Sequence, residues 1–357
     1  MTTGNELARP ARIGLCGLGG IGKAVARLLL DHRSGYELVA AATKEPADIG
    51  RSLRDVSGAS APGGGGDVVV GDGLEHVLAA QPDVILYMTG SFLSATGDDV
   101  VAVAQAGIDL VSPCEELAFP YGRFADDARR IDTAARAAGA TILGTGVNPG
   151  FMFDALLAAA SGVSWDIPAI RGRRVVDVAG FGQNIHLRLG IGYTPQEFES
   201  GHADGSIAGH VGFPESIELV CARLGVQLDG PVQETFEPMV AETDAPTLYG
   251  AVAAGRTEGF VQRAVGSVGG AAFVQLELVL HLRPEQAGMR SVDHFEIDGL
   301  HPVRLTLDPG MDAIPATAAQ IVNSVPGVLQ ASPGLKSVTD LPASAAWLGG
   351  LPTKAPR

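Results

Sequence analysis

Residues 12–22 read Arg12-Ile13-Gly14-Leu15-Cys16-Gly17-Leu18-Gly19-Gly20-Ile21-Gly22, a short apolar run that leads directly into a glycine-rich turn. The Gly-x-Gly-x-x-Gly spacing suits a tight turn, a close approach of backbone to ligand, and a helix packed on a strand. A helix that starts there directs unpaired N–H groups at phosphates. With 48 glycines in the chain, the spacing alone is weak evidence. Its place between a strand and a helix predicts a dinucleotide-binding turn.

The next hundred residues alternate strand-like and helix-like segments. The strand-like runs are residues 12–16, 37–43, 67–70, 83–89, 108–112 and 141–144, and the helix-like stretches are residues 21–31, 74–80, 94–106 and 124–138. Alternation of this kind predicts an α/β fold with an N-terminal Rossmann domain, a doubly wound parallel sheet covered by helices on both faces.

After residue 150 the pattern changes to longer strand-like runs separated by irregular Gly/Pro segments. These runs are residues 175–179, 185–189, 271–282 and 303–307. They predict a second, α+β domain with a largely antiparallel sheet. Residues 316–324 look helical and stop before Pro326, and the chain from Pro333 onward reads as a surface tail.

We therefore expect three segments. Residues 1–149 form the dinucleotide-binding domain, and residues 150–310 form a domain for substrate and dimerisation. Residues 311–357 supply a C-terminal helix and tail that pack back on the first domain.

The composition limits the possible partners and compartments. A formal net charge of −15 argues against nucleic acid and anionic membranes, and no uncharged apolar stretch is long enough to span a bilayer. The N-terminus lacks the apolar core of a signal peptide. The three cysteines, Cys16, Cys114 and Cys221, are far apart, which argues against a disulfide framework or a structural zinc site. We expect a cytoplasmic protein without a metal.

The end of the second strand bears on which dinucleotide is bound. NAD enzymes usually place an acidic residue there, whereas this strand ends Ala42-Thr43-Lys44, with Glu45 one step late. Lys44, aided by Arg51, could pair with a 2′-phosphate, or it could be a solvated loop lysine. The sequence favours NADP(H), with NAD(H) as the alternative.

Ligands of open α/β sheets lie beyond the carboxyl ends of the strands. The residues at these ends that we expect to contact the cofactor are Thr89, Gly90, Ser91, Pro113, Cys114 and Asn148. Thr89 and Ser91 could instead cap a helix, and Asn148 before a proline could simply form a turn.

Two consecutive acids, Glu115 and Glu116, follow the fifth strand on the cofactor side of the sheet. Their apolar surroundings would raise a carboxyl pKa toward the range of an acid–base group. Neighbours in a turn point in different directions, so only one would face the nicotinamide. The alternative is that both cap the following helix or pair with Arg123 and Arg129.

With these residues assembled, the chain resembles the NAD(P)H-dependent native amine dehydrogenases and the 2,4-diaminopentanoate dehydrogenases, whose folds are like dihydrodipicolinate reductase. The resemblance covers most of the chain. It rests on the glycine turn, Glu115-Glu116-Leu117-Ala118-Phe119-Pro120, residues 144–151, Gly209-His210-Val211-Gly212-Phe213-Pro214-Glu215-Ser216, residues 321–326 and residues 332–335.

The resemblance implies that Glu115 is the catalytic group and that Phe119, Val147 and Met152 line a substrate pocket, to which we add Phe181. It also implies a homodimer formed through the sheet of the second domain, and the use of NADP or NAD. The reaction would be reductive amination of a small ketone or aldehyde with ammonia, or oxidative deamination of an amine in reverse.

One difference between this sequence and the diaminopentanoate dehydrogenases bears on the substrate. A diaminopentanoate enzyme must hold an α-amino acid carboxylate, which calls for a basic residue in the pocket. Residues 177–184 contain none, although Arg171, Arg173, Arg174 and Arg188 are near in sequence. We therefore expect a small apolar carbonyl substrate, with 2,4-diaminopentanoate as the alternative.

Two rival functions remain for comparison. A dihydrodipicolinate reductase would carry a His-His pair and a Lys-x-x-x-Ser-Gly motif, and the sequence has neither. A non-enzymatic NADPH-binding redox sensor would need no acid in the pocket.

Overall fold

The computed structural model describes residues 9–60 and 67–347. Within these residues the first part of the chain forms β1 (Ala11–Cys16), α1 (Gly20–His32), β2 (Tyr36–Thr43), α2 (Leu53–Ser57), β3 (Val70–Asp72), α3 (Gly73–Ala79), β4 (Val84–Tyr87), α4 (Leu93–Gln105), β5 (Asp109–Ser112), a 3₁₀ turn (Glu115–Leu117), α5 (Ala125–Ala138), β6 (Thr141–Gly144) and α6 (Ala155–Ser161). The remainder forms β7 (Ile170–Asp177), α7 (Gln183–Arg188), α8 (Pro195–Asp204), α9 (Phe213–Leu224), β8 (Gln233–Val240), β9 (Ala245–Thr247), β10 (Gly250–Val252), β11 (Thr257–Val268), β12 (Ala271–His281), β13 (Asp293–Ile297), β14 (Val303–Leu307), α10 (Ala313–Gln330) and β15 (Gly334–Lys336).

The chain divides into two compact units. The first contains the described residues up to Ala155 together with those from Ala313 onward, and the second runs from Leu156 to Asp312. The first unit is therefore built from both ends of the chain, with the second inserted as one continuous stretch.

The sheet of the first unit has seven strands in the order β15-β6-β5-β4-β1-β2-β3. Every pair of neighbours in it is parallel. The predicted Rossmann-type sheet is confirmed, and the strand order changes direction beside β1. In such sheets the crevice for a ligand lies at this reversal, outside the carboxyl ends of the strands.

Apolar side chains alternate across β1 and bury it on both faces. Ile13 and Leu15 pack in the core that contains the helices α1 and α10, whereas Cys16 packs in the core that contains α3, α4 and α5. From Ile13 onward every residue of β1 is buried and none is charged, as is typical of a strand covered on both faces. Its carboxyl end is consequently held at a fixed place in the sheet.

The second unit is built on a six-stranded sheet in the order β14-β13-β7-β12-β11-β8. Only β7 and β12 are parallel neighbours in it, and the other four pairs are antiparallel. The predicted second domain with a largely antiparallel sheet is confirmed. The strands β9 and β10 form a separate antiparallel pair.

The structure corrects the prediction that residues 185–189 form a strand. They lie in and just after the helix α7, where His186 is buried and its Nε2 is 2.6 Å from the carbonyl oxygen of Val178. An alternation of apolar and polar residues over five positions does not separate a strand from one turn of a helix.

Two predictions about the C-terminal segment are also wrong. The helix α10 does not stop before Pro326 but continues through it to Gln330, with Pro326 buried. A proline inside a helix costs about 3 kcal/mol. The burial of Ile321, Val325 and Val328 against the sheet offsets this cost.

The chain beyond Pro333 is not a surface tail at first. Gly334 and Leu335 are buried in the edge strand β15, which pairs with β6. Three residues are too short for any strand pattern to be visible in the sequence. Residues 348–357, the last part of that expected tail, lie outside the described residues.

None of the helices in the described ranges combines the length and the apolar character that crossing a bilayer requires.

A buried ion pair holds the end of the second unit. Arg174 on β7 and Asp293 on β13 are almost fully buried, with Nε and Oδ1 2.9 Å apart. Both also bind the backbone of Met311, because the guanidinium donates to its carbonyl oxygen at 3.0 Å and the carboxylate accepts from its N–H at 2.9 Å. The pair thereby fixes the segment just before α10.

Replacement of Arg174 by methionine would leave the Asp293 carboxylate buried and uncompensated. We expect Arg174→Met to lower the free energy of unfolding by about 3–5 kcal/mol, as measured by urea denaturation. The matched control is Arg304→Met, because Arg304 is 68% exposed in its pair with Glu296. That change should cost less than about 1 kcal/mol. Equal losses in the two variants would contradict a structural role for the buried pair.

Candidate active site

A groove of about 540 Å³ lies at the carboxyl edge of the parallel sheet, beside the strand-order reversal at β1. All its lining residues belong to the first unit. They are Cys16, Gly17, Leu18, Gly19, Lys23, Thr43, Lys44, Glu45, Asp48, Gly73, Leu74, Met88, Thr89 and Asp99. Six of the predicted cofactor residues, Gly17, Leu18, Gly19, Thr43, Lys44 and Thr89, thus meet in one cavity.

The glycine turn has the shape that a dinucleotide requires. Gly17 has a φ of +92°, and a Cβ there would overlap the carbonyl oxygen of Met88. At Gly19, by contrast, a Cβ would meet nothing within 4 Å, so the backbone borders open space. Gly19 is the N-cap of α1 and offers that helix no side-chain hydrogen bond. The first N–H groups of α1 are therefore available to an anionic ligand, and a pyrophosphate fits this turn. The remaining predicted residues of the motif, Gly20, Ile21 and Gly22, form the first turn of α1.

The end of β2 combines a buried threonine with an exposed lysine. The Thr43 hydroxyl oxygen accepts from the N–H of Glu45 at 3.2 Å, and the Lys44 side chain is exposed in the groove. Arg51, which we expected to assist Lys44, is instead ion-paired with Asp48 at 2.9 Å. Asp48 also lies 3.3 Å from the Lys23 ammonium group, so its charge is balanced from two sides.

The loops after β4 and β5 lie side by side along the same sheet edge. Met88 donates its N–H to the carbonyl oxygen of Cys16 at 2.7 Å, and Glu116 donates its N–H to that of Ser91 at 3.3 Å. Thr89 is exposed, whereas Gly90 and Ser91 are half-buried. The N-cap of α4 is Phe92, without a side-chain hydrogen bond, so neither Thr89 nor Ser91 fills that position.

Glu116 is committed to the start of α4. It is 7% exposed, and its Oε2 accepts from the N–H of Leu93, the first residue of that helix, at 2.6 Å. Burial raises the pKa of the Glu116 carboxyl, although the Leu93 hydrogen bond works in the opposite direction. The Glu116 carboxylate, which lies in a neighbouring loop, therefore caps the N-terminus of α4.

Glu115 opens the 3₁₀ turn and is half-buried. This turn packs directly on the end of β6, because a Cβ at Gly144 would overlap the backbone of Leu117 and Ala118. The position of Glu115 is consequently set by backbone packing and by the anchored side chain of its neighbour Glu116.

Pro113 is half-buried beside Glu115, but Cys114 is fully enclosed. The Cys114 thiol faces the Thr96 hydroxyl at 3.5 Å, and burial raises its pKa to about 12. A neutral, inaccessible thiol is a poor nucleophile. The structure therefore places the side chain of Cys114 in the core and not in the groove.

The loop after β6 brings two predicted pocket residues together. Met152 donates its N–H to the carbonyl oxygen of Val147 at 2.9 Å, and both side chains are buried. The N–H of Val147 in turn donates to the Thr317 hydroxyl of α10 at 3.3 Å. Asn148 is half-buried and precedes a cis peptide bond to Pro149.

The other two predicted pocket residues have separate surroundings. Phe119 follows the 3₁₀ turn and packs edge-on against Tyr121, with ring centroids 5.0 Å apart. Phe181 belongs to the second unit, in the turn after β7, where its N–H donates to the carbonyl oxygen of Val178 at 2.9 Å.

The sequence reasoning missed several residues of the groove, namely Lys23, Asp48, Gly73, Leu74 and Asp99. Lys23 could have been predicted as a site residue from the sequence, because a basic residue in the first turn of a helix is unfavourable unless an anion compensates it. The others come from the loop after β2, from the β3–α3 junction and from the middle of α4. Across the described ranges, no three His, Cys, Asp or Glu side chains converge as metal ligands would.

Comparisons with known proteins give this arrangement a family. Residues 151–356 match the family model described as the 2,4-diaminopentanoate dehydrogenase C-terminal domain. The 2,4-diaminopentanoate dehydrogenase of Acetoanaerobium sticklandii is 32% identical over 336 residues, which cover 94% of each chain. An amine dehydrogenase of Streptomyces virginiae is 26% identical and covers 91% of this chain and 94% of its own.

Solved structures share the fold. The amine dehydrogenase from Mycobacterium smegmatis superposes with a TM-score of 0.83 at 23% identity, over 95% of this chain and 98% of that one. An NAD-binding oxidoreductase from Klebsiella pneumoniae superposes with a TM-score of 0.53 at 16% identity, over 92% of each chain. With a family model that covers more than half of its length and a full-length relative above 30% identity, the chain belongs to the 2,4-diaminopentanoate dehydrogenase family of oxidoreductases.

Proposed function

We propose that the protein is an NAD(P)H-dependent amine dehydrogenase that converts a small ketone or aldehyde and ammonia into an amine, and an amine back into the carbonyl compound in reverse. The observation that carries the proposal is that only one of the two adjacent acids is used to cap a helix. Glu116 is fixed on the N-terminus of α4, which leaves Glu115 as the carboxylate for chemistry at the cofactor edge.

The cofactor residues follow the groove. The turn from Gly17 to Gly22 would hold the pyrophosphate, and Thr43 and Lys44 would hold the adenosine ribose. The nicotinamide half would meet the neighbouring strand ends, at Thr89, Gly90, Ser91, Pro113, Cys114 and Asn148. Because Cys114 is enclosed, its contribution would be to shape the loop. A bound reduced nicotinamide would supply the hydride.

Glu115 would act on the nitrogen. As a carboxylate it would accept a proton from ammonium, and the ammonia so formed would add to the carbonyl carbon to give a carbinolamine. The protonated carboxyl would return the proton to the carbinolamine hydroxyl, which leaves as water and gives an iminium. The iminium carbon would accept the hydride, and the π electron pair of the C=N bond would become the lone pair of the amine nitrogen. An anion held beside the iminium stabilises its positive charge in a site from which water is excluded.

The proposed pocket side chains of the first unit, Phe119, Val147 and Met152, are apolar and offer no group for a carboxylate, and the side chain of Phe181 in the second unit offers none either. Three of the four arginines that are near residues 177–184 in sequence have ion-pair partners. Arg171 binds Asp298 at 2.6 Å, Arg173 binds Glu277 at 2.6 Å, and Arg174 binds Asp293. Since charged groups already satisfied in ion pairs are poor anchors for a further anion, a small apolar carbonyl compound fits better than an amino acid.

The second candidate is 2,4-diaminopentanoate dehydrogenase activity. The family model and the relative from Acetoanaerobium sticklandii carry that name, so its substrate belongs in any test. A non-enzymatic redox sensor has no such support, because the relatives are named as dehydrogenases.

We also propose a homodimer formed through the six-stranded sheet, and a cytoplasmic location. On β11, Val261, Arg263 and Val265 are only half-buried, while Gln262 and Ala264 between them are buried. One face of this sheet thus remains for a second copy. All three cysteines are free, which suits a reducing compartment.

Removal of the charge at Glu115 tests the catalytic assignment. We expect Glu115→Gln to lower the rate of reductive amination by about 100-fold or more, because the amide can neither accept a proton nor offset an iminium charge. Cofactor affinity, measured by nicotinamide fluorescence, should stay close to that of the wild type. Glu285→Gln, at an exposed position, is the control and should retain full activity. A wild-type rate for Glu115→Gln would remove Glu115 from the mechanism.

Substitution of Lys44 tests the proposed preference for NADPH, which carries a 2′-phosphate, over NADH. We expect Lys44→Ala to weaken NADPH binding by roughly tenfold, the effect of one charge-assisted contact, and to leave NADH binding almost unchanged. The control is Lys336→Ala, since the Lys336 ammonium group binds Ser332 on the surface. Equal losses for both dinucleotides would show that Lys44 does not read the phosphate.

The substrate class follows from a comparison of two carbonyl compounds. We expect NADPH oxidation with cyclohexanone only when ammonium is present, and slower oxidation with 2-amino-4-oxopentanoate, because the proposed pocket residues are apolar. Faster turnover of 2-amino-4-oxopentanoate would favour diaminopentanoate dehydrogenase activity. Turnover without ammonium would identify an ordinary carbonyl reductase and exclude the amination reaction.

A further inference from the structure

The groove contains one carboxylate, that of Asp99, which the proposed mechanism does not use. Asp99 lies in the middle of α4, is half-buried, and lines the same cavity as Lys44 and Thr89. The following inference rests on the proposed function, since it assumes that the groove binds a nicotinamide dinucleotide.

The adenine of a bound dinucleotide would lie beyond its ribose in the same groove. A pyrophosphate at the N-terminus of α1 and a ribose at the end of β2 would occupy the part that is lined by Gly19 and Thr43. The lining also includes Leu74 on α3 and Asp99 on α4. These two residues would give the base an apolar side chain and a carboxylate as neighbours.

Lys44, Asp99 and the last residue of β1, Cys16, line the same groove. The pKa of the Cys16 thiol is raised to about 12, mainly by burial and also by the charge of Asp99, whereas the charge of Lys44 lowers it. Both charged groups therefore act on the end of this strand.

The Asp99 carboxylate is held in a fixed orientation. Its Oδ2 accepts from the hydroxyl of Tyr87 at 2.5 Å. Tyr87 is the last residue of β4, is 1% exposed, and packs in the core between the sheet and α4. Among the described residues, Tyr87 gives the only hydrogen bond to Asp99 that the structure contains. The second oxygen, Oδ1, can accept from a ligand.

The other acids of the groove are less suited to this task. Asp48 is neutralised by Lys23 and Arg51, and Glu45 is exposed in the loop after β2. Asp99 alone is both held by a buried partner and open to the groove.

An ionised carboxylate accepts hydrogen bonds and donates none. The exocyclic amino group of adenine donates two, whereas hypoxanthine carries a carbonyl oxygen at the same position, which would oppose the carboxylate. We propose that Asp99, oriented by Tyr87, recognises the exocyclic amine of adenine and makes the groove selective for adenine dinucleotides over their deaminated forms.

The test compares NADPH with reduced nicotinamide hypoxanthine dinucleotide phosphate, which has a carbonyl oxygen in place of the exocyclic amine and an added proton on the adjacent ring nitrogen N1. Dissociation constants are measured by nicotinamide fluorescence, without any turnover. We expect the wild type to bind NADPH about tenfold more tightly, the effect of a hydrogen bond to a charged group.

In Asp99→Asn the preference should fall to about twofold or less, because an amide can rotate to donate to the carbonyl oxygen of hypoxanthine. Tyr87→Phe should narrow the preference to an intermediate value, since it removes the orientation of the carboxylate and not the carboxylate itself. The control is Asp98→Asn on the same helix. Asp98 is 92% exposed and pairs with Arg130, so the tenfold preference should remain.

Equal affinity of the wild type for the two probes would overturn the proposal, even if a variant failed to fold. An unchanged preference in folded Asp99→Asn would also overturn it. A wild-type protein that binds neither probe, and NADH no better, would contradict the proposed function instead, so that the two failures are distinguishable.

Discussion

The position of β1 is the constraint on which the candidate site depends. This strand is hydrogen-bonded on both sides, and its last residue, Cys16, is in register with Ala42 on β2 and with Tyr87 on β4. The turn that follows is fixed from the same two strands. Gly17 donates its N–H to the carbonyl oxygen of Ala42 at 2.9 Å, and the carbonyl oxygen of Cys16 accepts from Met88. The backbone that we propose to face the phosphates is therefore held in place before any ligand arrives, which would reduce the entropy lost on binding.

The two neighbouring glutamates show how a fold can assign different roles to identical side chains. Glu116 replaces the side-chain cap that α4 lacks at Phe92, and in doing so it anchors the turn that presents Glu115. A carboxylate proposed for proton transfer needs a defined position. The turn that carries Glu115 is positioned by the contact of Glu116 with α4 and by the close contact between the turn and Gly144.

The sequence predicted the sheet of the first unit well because its signals are local. The strand–turn–helix around Gly17 and the alternation after it depend on residues within a few positions of each other. It predicted β15 and the full length of α10 poorly, because both are stabilised by distant partners, such as β6 for β15. Within the candidate site, the roles of the glycine motif and Lys44 could be predicted from the sequence, whereas those of Asp99 and Asp48 could not. Their place in the groove comes from tertiary structure, and an acid in the middle of an amphipathic helix is normally just solvated. The capping contact between Glu116 and Leu93, on which the proposed division between Glu115 and Glu116 rests, was likewise not visible in the sequence.

The return of the chain to the first unit has a consequence for its biosynthesis. The helix α10 fills one face of the parallel sheet, and its Thr317 supports the loop at Val147. During translation the second unit, which is continuous from Leu156 to Asp312, is complete before α10 leaves the ribosome. The first unit must wait with a partly uncovered sheet until the residues that follow the second unit are made. The unit whose synthesis begins first is thus the unit that finishes folding last.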